Sequence, residues 1–364
     1  MLKKDFLLFL DDILIDTKPH ATETKIALQE YLQSLPGEQV ESCQFDTILE
    51  HTTIRKYDVD YNFIQTLKTL DIPENPNDKL YFSCRHHAVK LAKEALAEGA
   101  DVNSFSDETT DDIRVYLSIS PVRYSPLSLV AMHGSDGEVA CDLATLLLKH
   151  GANLLAKDQG EDLGNTALHW AISEYKYKLT ELLISYDSDA KLVNQPDSGQ
   201  DANPPLILAL KKRNYVIAEQ LLKAGANPNL YDYGHRTALH WAAIVLAPKE
   251  TFEWMLSCRS KLDLVSLDSY RATAADYLKI NLDPGVADDA RYAEPIKDLG
   301  CHFTDSFTKV RPKSAVQSFL ELRIGREPCG TGRSGLRFFL DERNFWRQHP
   351  PYQEIINRLT PSTN

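Results

Sequence analysis

The sequence predicts an all-α solenoid, a stack of short helix pairs, and three observations predict it. First, a heptapeptide recurs: Thr166–Ile172 reads T-A-L-H-W-A-I and Thr237–Ala243 reads T-A-L-H-W-A-A. Second, looser copies begin at 125 (S-P-L-S-L-V-A), 204 (P-P-L-I-L-A-L) and 273 (T-A-A-D-Y-L), so successive starts lie 41, 38, 33 and 36 residues apart. Third, another signature trails the helices. Gly151-Ala152-Asn153 follows L-L-L-K-H, Gly225-Ala226-Asn227-Pro228-Asn229 follows L-L-K-A, and Gly99-Ala100-Asp101-Val102-Asn103 follows A-L-A-E. A unit of this size cannot bury its own apolar face, so a sequence with this period must stack its copies.

Each part of the repeat has a physical reading. Thr166 and Thr237 suit a helix N-terminus, where a hydroxyl accepts from an orphan amide. Leu168 and Ala171, like Leu239 and Ala242, are spaced i, i+3 and put one apolar face on a short first helix. The second helices, such as Ala144–His150 and Val216–Lys223, are amphipathic. Gly151 and Gly225 supply the left-handed residue that ends a helix at little steric cost.

Together these motifs resemble the ankyrin repeat, whose pattern runs T-P-L-H-x-A, then a second helix ending in L-L, then G-A-D-V-N, with a period of ~33 residues. The resemblance spans about Lys79 to Ile280. It implies a solenoid of five to six repeats, flanked by mainly helical segments at 1–75 and 286–364. It implies non-catalytic protein binding through hairpin tips and a concave groove. By position the tips include Asp162, Asn165, Tyr231, Tyr233, His235, Arg236 and Tyr270. The groove positions include Met132, His133, Ser173, Glu174, Lys211, Lys212 and Ile244. The resemblance gives His169 and His240 a structural role, hydrogen-bonding within and between repeats, and makes the hairpin asparagines Asn103 and Asn229 hydroxylation candidates. The irregular repeats and unfamiliar flanks are similar to ankyrin effectors that intracellular bacteria deliver into the host cytosol or nucleus. A eukaryotic adaptor would look similar.

Composition narrows the function classes. A formal charge of −12 over 364 residues argues against a general nucleic-acid or membrane-surface binder. Six scattered cysteines with no C-x-x-C pair fit a reducing, cytoplasmic setting and lack zinc-ligand spacing. No metal or cofactor is expected. Lys3-Lys4 and F-L-L-F-L mimic a signal peptide, but Asp11 and Asp12 interrupt the run, so an amphipathic helix is expected there. No stretch reaches the ~18 apolar residues of a membrane span.

Taken in order, residues 1–75 read as a helical cap for the first repeat, punctuated by Pro36-Gly37 and by Pro73 to Pro76. The first repeat is read at Lys79–Asn103, with its first helix near Tyr81–His86. Cys84, His86 and His87 are too close along one helix to face one another. Residues 104–124 insert an acidic segment with a strand-like V-Y-L-S-I-S, giving an enlarged hairpin. Repeats two to five follow. Repeat three departs from the pattern, with S-Y-D-S-D-A-K-L-V-N replacing G-A-D-V-N, and the unit from Asp268 carries Arg271 where glycine is usual. The tail 286–364 is rich in arginine and aromatics. Its glycine-rich Cys329–Gly335 lacks the context of a dinucleotide site and the spacing of a phosphatase loop. Arg333 remains a candidate anion ligand. The alternative reading is an enzyme of the cysteine-hydrolase type, in which Cys43 or Cys329 meets a distant histidine and the repeats select the substrate.

Overall fold

A computed structural model describes residues 2–13, 33, 34, 37, 72–106, 122–134, 136–160, 164–199, 201–257, 262–282 and 351–359. Thirteen α-helices occur among these described residues, with no strand beyond two isolated bridges, Arg123–Gln159 and Tyr231–Thr237. The chain divides into two compact units. Unit one is Met1–Leu192 with Asp197–Gly199, and unit two is Val193–Pro196 with Gln200–Asn364.

Unit one holds α1 (Lys3–Ile13), α2 (Pro76–His86), α3 (Val89–Ala97), α4 (Pro126–Met132), α5 (Glu138–Lys149), α6 (Ala167–Ser173) and α7 (Tyr177–Ser185). The first helices α2, α4 and α6 pack side by side in one layer, and α3, α5 and α7 form the second. Unit two holds α8 (Pro205–Lys211), α9 (Tyr215–Lys223), α10 (Ala238–Ile244), α11 (Lys249–Ser257), α12 (Ala274–Leu282) and α13 (Pro351–Leu359). There α8, α10 and α12 line one layer and α9 and α11 the other, with α13 against α11 and α12.

The first helices of the repeats are mostly seven residues long, too short to persist alone. Their ends are therefore fixed. Ser125 accepts from the Ser128 amide at 3.1 Å, and Thr166 and Thr237 each form a capping box with the histidine three residues on. The helix expected near Tyr81 begins earlier, at Pro76. Asn75 caps it by accepting from Asn77 N at 2.9 Å, and a proline is tolerated at the first helical position because that N–H has no intrahelical partner. Left-handed glycines follow α3, α5 and α9: Gly99, Gly151 and Gly225, with φ of 98°, 89° and 94°. The turn between paired helices also needs a left-handed residue. His87, Tyr175, Arg213 and Leu246 fill it without being glycine.

In each unit a helix distant in sequence packs against the repeat helices. On α1, Phe6 and Phe9 are fully buried, and the Phe9 ring lies 5.2 Å from Phe82. Fully buried Lys79 of α2 sits between Asp5, at 2.9 Å, and Glu98, at 2.5 Å, while Lys4 reaches Glu94 and Glu98 at 2.9 and 2.6 Å. Burial works against the Lys79 charge, but hydrogen bonds to Glu98 and Asp5 together hold its pKa above the ordinary lysine value. In unit two, Ile355, Ile356 and Leu359 of α13 are buried and Lys249 pairs with Glu354 at 3.3 Å. Lys79→Met strips the buried Asp5 of its cation. It should lower stability at neutral pH by about 3 kcal/mol, read as a reduced midpoint in urea unfolding.

Candidate protein-binding surface

An aspartate organises each hairpin that projects from unit two. The Asp232 amide donates to Arg236 O at 3.1 Å. Its Oδ1 accepts from the Arg236 amide at 3.0 Å, and its Oδ2 from Trp241 Nε1 at 2.8 Å. Asp268 repeats the device. Its amide donates to Ala272 O at 3.1 Å. Oδ1 takes the Ala272 and Tyr270 amides, both at 2.9 Å, and Oδ2 takes the Tyr277 hydroxyl at 2.6 Å. Neighbouring tips are linked in turn, Tyr233 N to Asp201 O at 2.8 Å and Ser269 N to Gly234 O at 3.0 Å. Sequence reading missed these aspartates. The available signal was the shared nine-residue spacing from Asp232 to Trp241 and from Asp268 to Tyr277.

At the base of the hairpins, asparagine side chains bridge successive turns. Asn103 donates to Gly151 O at 3.0 Å and accepts from Asn153 N at 2.7 Å. Asn194 does the same with Gly225 O, at 3.2 Å, and Asn227 N, at 2.6 Å. Asn229 accepts from Asp263 N at 2.8 Å. Asn194 thus takes the bridging place in repeat three despite its divergent spelling, carried there by the 3-10 turn Leu192–Asn194.

The histidines act within this frame. The Thr237 amide donates to Nδ1 of His240 at 3.1 Å, so the ring proton sits on Nε2 and is donated to Ala272 O at 3.0 Å in the next turn. Burial holds His240 below its usual pKa and therefore neutral. His169 makes the same bond to the Thr166 amide at 3.2 Å.

Residues 174–266 match the model of ankyrin repeats in three copies. Residues 174–266 are ankyrin repeats. Related proteins include a putative ankyrin repeat protein of Acanthamoeba polyphaga mimivirus, 28% identical over 43% of this chain and 20% of that protein. Mus musculus Rabankyrin-5 is 30% identical over 45% of this chain and 15% of its own length. Caenorhabditis elegans protein lin-12 is 32% identical over 30% and 8%. The chain therefore spans a fifth or less of these relatives.

On the hairpins of unit two, Tyr231, Tyr233 and Tyr270 are 57%, 80% and 38% exposed, and His235 stacks on Tyr231 at 4.9 Å. Three expected partner residues are instead drawn inward. The Lys211 ammonium bonds Asp201 at 3.0 Å and Asn203 at 2.5 Å and lies 4.5 Å over the Trp241 ring. Arg236 is buried between the Trp241 and Tyr270 rings and faces Asp268 at 3.9 Å. Ile244 is buried because it packs in the inner row of α10. Lys212 is exposed. In unit one Glu174 is exposed, and Met132, His133, Asn165 and Ser173 are half-buried. Asp162, Arg333, Cys43, Cys329 and most of the 104–124 insertion lie outside the described residues.

Chemistry is sparse on the described surface. Burial pushes the Cys84 thiol far up, and Cys141 is raised as well, so neither is poised as a thiolate. Among the described residues no group of three or more His, Cys, Asp or Glu is placed to hold a metal, and no helix is long and apolar enough to cross a membrane.

Among the described residues of unit one, Asp158 is the carboxylate whose pKa is raised. Asp158 is buried and accepts from Trp170 Nε1 at 2.5 Å. Burial raises its pKa from 3.8 to about 6, against weaker opposing help from Trp170, Ser128 and the Ser125 backbone. A raised carboxylate pKa means that the folded state keeps its proton longer than the unfolded chain does. Stability therefore falls as pH rises from about 4 to 6, and the penalty is complete above that range. Asp158→Asn should gain stability relative to wild type across the same window, by at most about 3 kcal/mol, and the gain should vanish near pH 4. Urea titrations of both proteins at several pH values read this directly.

Proposed function

We propose that the chain is a non-catalytic protein-binding scaffold whose partner sits on the ankyrin hairpins of unit two. One observation carries the reading: exposed Tyr231, Tyr233, Val265, Leu267 and Tyr270 all fall in the hairpin segments 231–236 and 262–271 of a single unit. Tyrosine gives a broad amphipathic contact at low entropic cost and is enriched among residues that dominate binding energy. The aspartate clamps and tip-to-tip hydrogen bonds hold these rings on a fixed frame, which favours binding over flexible exposure. Free Cys84 and Cys141 suit a reducing compartment. The narrower reading, a bacterial effector acting in a eukaryotic cytosol or nucleus, requires that the partner be a host protein.

The test is affinity capture from human-cell lysate with the intact chain and with the double variant Tyr231→Ala, Tyr233→Ala. Lys211 is left alone because it supports Trp241 internally. With two anchor residues removed, a captured partner should rebind at least about tenfold more weakly, while circular dichroism stays unchanged. Equal affinity for both proteins would move the binding surface off these tips.

A further inference from the structure

The two tryptophans of the repeated heptapeptide each donate to an aspartate, and among the described residues a cation covers Trp241 alone. In unit two, Asp232 and Trp241 are joined through Oδ2 and Nε1, and Lys211 completes the site. Its Nζ lies 4.5 Å over the indole and 3.7 Å from Asp232 Oδ2, and it also bonds Asp201 and Asn203. Arg236 approaches the same ring at 5.4 Å. Trp241 is left only 2% exposed.

Unit one repeats the carboxylate and the indole. Trp170 stands four residues after Thr166, as Trp241 does after Thr237, and its Nε1 bonds Asp158 Oδ2. The two repeat positions that carry the cations hold other residues. Aligning P-L-S-L-V-A-M (126–132) with P-L-I-L-A-L-K (205–211) puts Met132 at the place of Lys211. Asn165, just before Thr166, stands at the place of Arg236. Among the described residues no lysine or arginine pairs with Asp158. Its Oδ1 makes no hydrogen bond of ordinary geometry, although Ser128 and the Ser125 backbone lie near enough to favour its charge. Asp158 is 96% removed from solvent, being 4% exposed, and a buried carboxylate without a cation is costly. Trp170 stays half-exposed, and the Tyr124 ring meets it edge-on at 6.1 Å.

We infer that Asp158 and Trp170, with half-exposed Tyr124 against the indole and half-exposed Met132 at the repeat position of Lys211, form a receptor for the ammonium of a lysine side chain supplied by the protein partner. The lysine takes the place that Lys211 takes in unit two, its charge on the carboxylate and indole face and its alkyl stem against the aromatic and thioether groups. Two features favour an ammonium over a guanidinium. The internal precedent is Lys211, and Arg236 directs its charge to Asp268 instead. The inference rests on the protein-binding reading, but it places one specific contact in unit one, apart from the tyrosine tips.

The site can be tested without the partner. The full chain, labelled with 15N at its four tryptophans, is titrated with n-butylammonium chloride at constant ionic strength, with n-butanol as the neutral control. The Trp170 indole resonance, assigned with Trp170→Phe, should shift saturably with butylammonium and not with butanol. Asp158→Asn, which keeps an acceptor for the indole, should weaken the binding at least about tenfold. Met132→Lys should supply the cation from within and abolish the response, with the Trp170 resonance already displaced before any probe is added. The remaining indole resonances report whether each variant is folded. No saturable shift, an equal response to butanol, or a response untouched by Asp158→Asn or Met132→Lys would each overturn the inference. These outcomes are independent of the lysate experiment, so loss of the lysine site leaves the tyrosine surface standing, and the reverse.

Discussion

The imidazole of His240 is tied at both nitrogens, and the stacking of repeats in unit two depends on that arrangement. Nδ1 takes the amide of Thr237, which opens a seven-residue helix, and Nε2 reaches the carbonyl of Ala272 at the head of the next one. Helices this short gain little from their own backbone bonds. What makes them persist is a cap that is shared: the group that closes one helix start also sets the distance to its neighbour. Burial keeps the ring neutral, so one nitrogen accepts while the other donates. A protonated ring would lose the acceptor that holds Thr237. Threonine followed three residues later by histidine is therefore a constraint on stacking as much as on helix initiation.

The same logic runs outward. Below the hairpins, one asparagine side chain satisfies a carbonyl and an amide of the next turn at once, as Asn103 does for Gly151 and Asn153 and Asn194 does for Gly225 and Asn227. Above them, one aspartate closes its own hairpin and fixes an aromatic side chain of the following helix. Because each polar group serves two neighbours, the loops have a defined shape although no extended strand supports them among the described residues. Exposed tyrosines on such a frame differ from tyrosines on a mobile loop, since less ordering is left to be done when a partner arrives.

The repeat architecture was legible in the sequence because its determinants are local. Thr237, the Nδ1 of His240 and Gly225 each act within a few residues of their own position, so their spelling recurs with the period. The start of α2 was displaced in the reading because Pro76 punctuates and initiates with the same chemistry, and only Asn75 distinguishes the two. Distant partners left no such trace. Nothing near Lys79 announces Asp5, which comes from a helix more than 60 residues away. Lys211 looked like a groove residue by position, and its partners, Asp201, Asn203 and Trp241, belong to the loop before α8 and to α10. Tyr231, Tyr233 and Tyr270, placed at the tips by sequence position, are exposed there. Arg236 and Ile244 were misplaced because burial is set by what stacks above them.

Lys211 and Met132 show how a repeat protein diversifies. Stacking requires the tryptophan at the fourth position after the capping threonine to have its indole N–H satisfied, and an aspartate does this in both units. An aspartate brought into that place carries a charge that then needs its own compensation. Unit two supplies it from within, through Lys211 and Arg236, and the indole is sealed. Unit one has apolar and neutral residues at the corresponding places, so its carboxylate answers burial with a raised pKa and its indole keeps an open face. Two positions separate the closed contact of unit two from the open one of unit one, Met132 in place of Lys211 and Asn165 in place of Arg236. The bond from carboxylate to indole is kept in both units, while Asp158 Oδ1 lacks the amide bond that Asp232 Oδ1 takes from Arg236, so the open face in unit one comes with the burial penalty of its carboxylate.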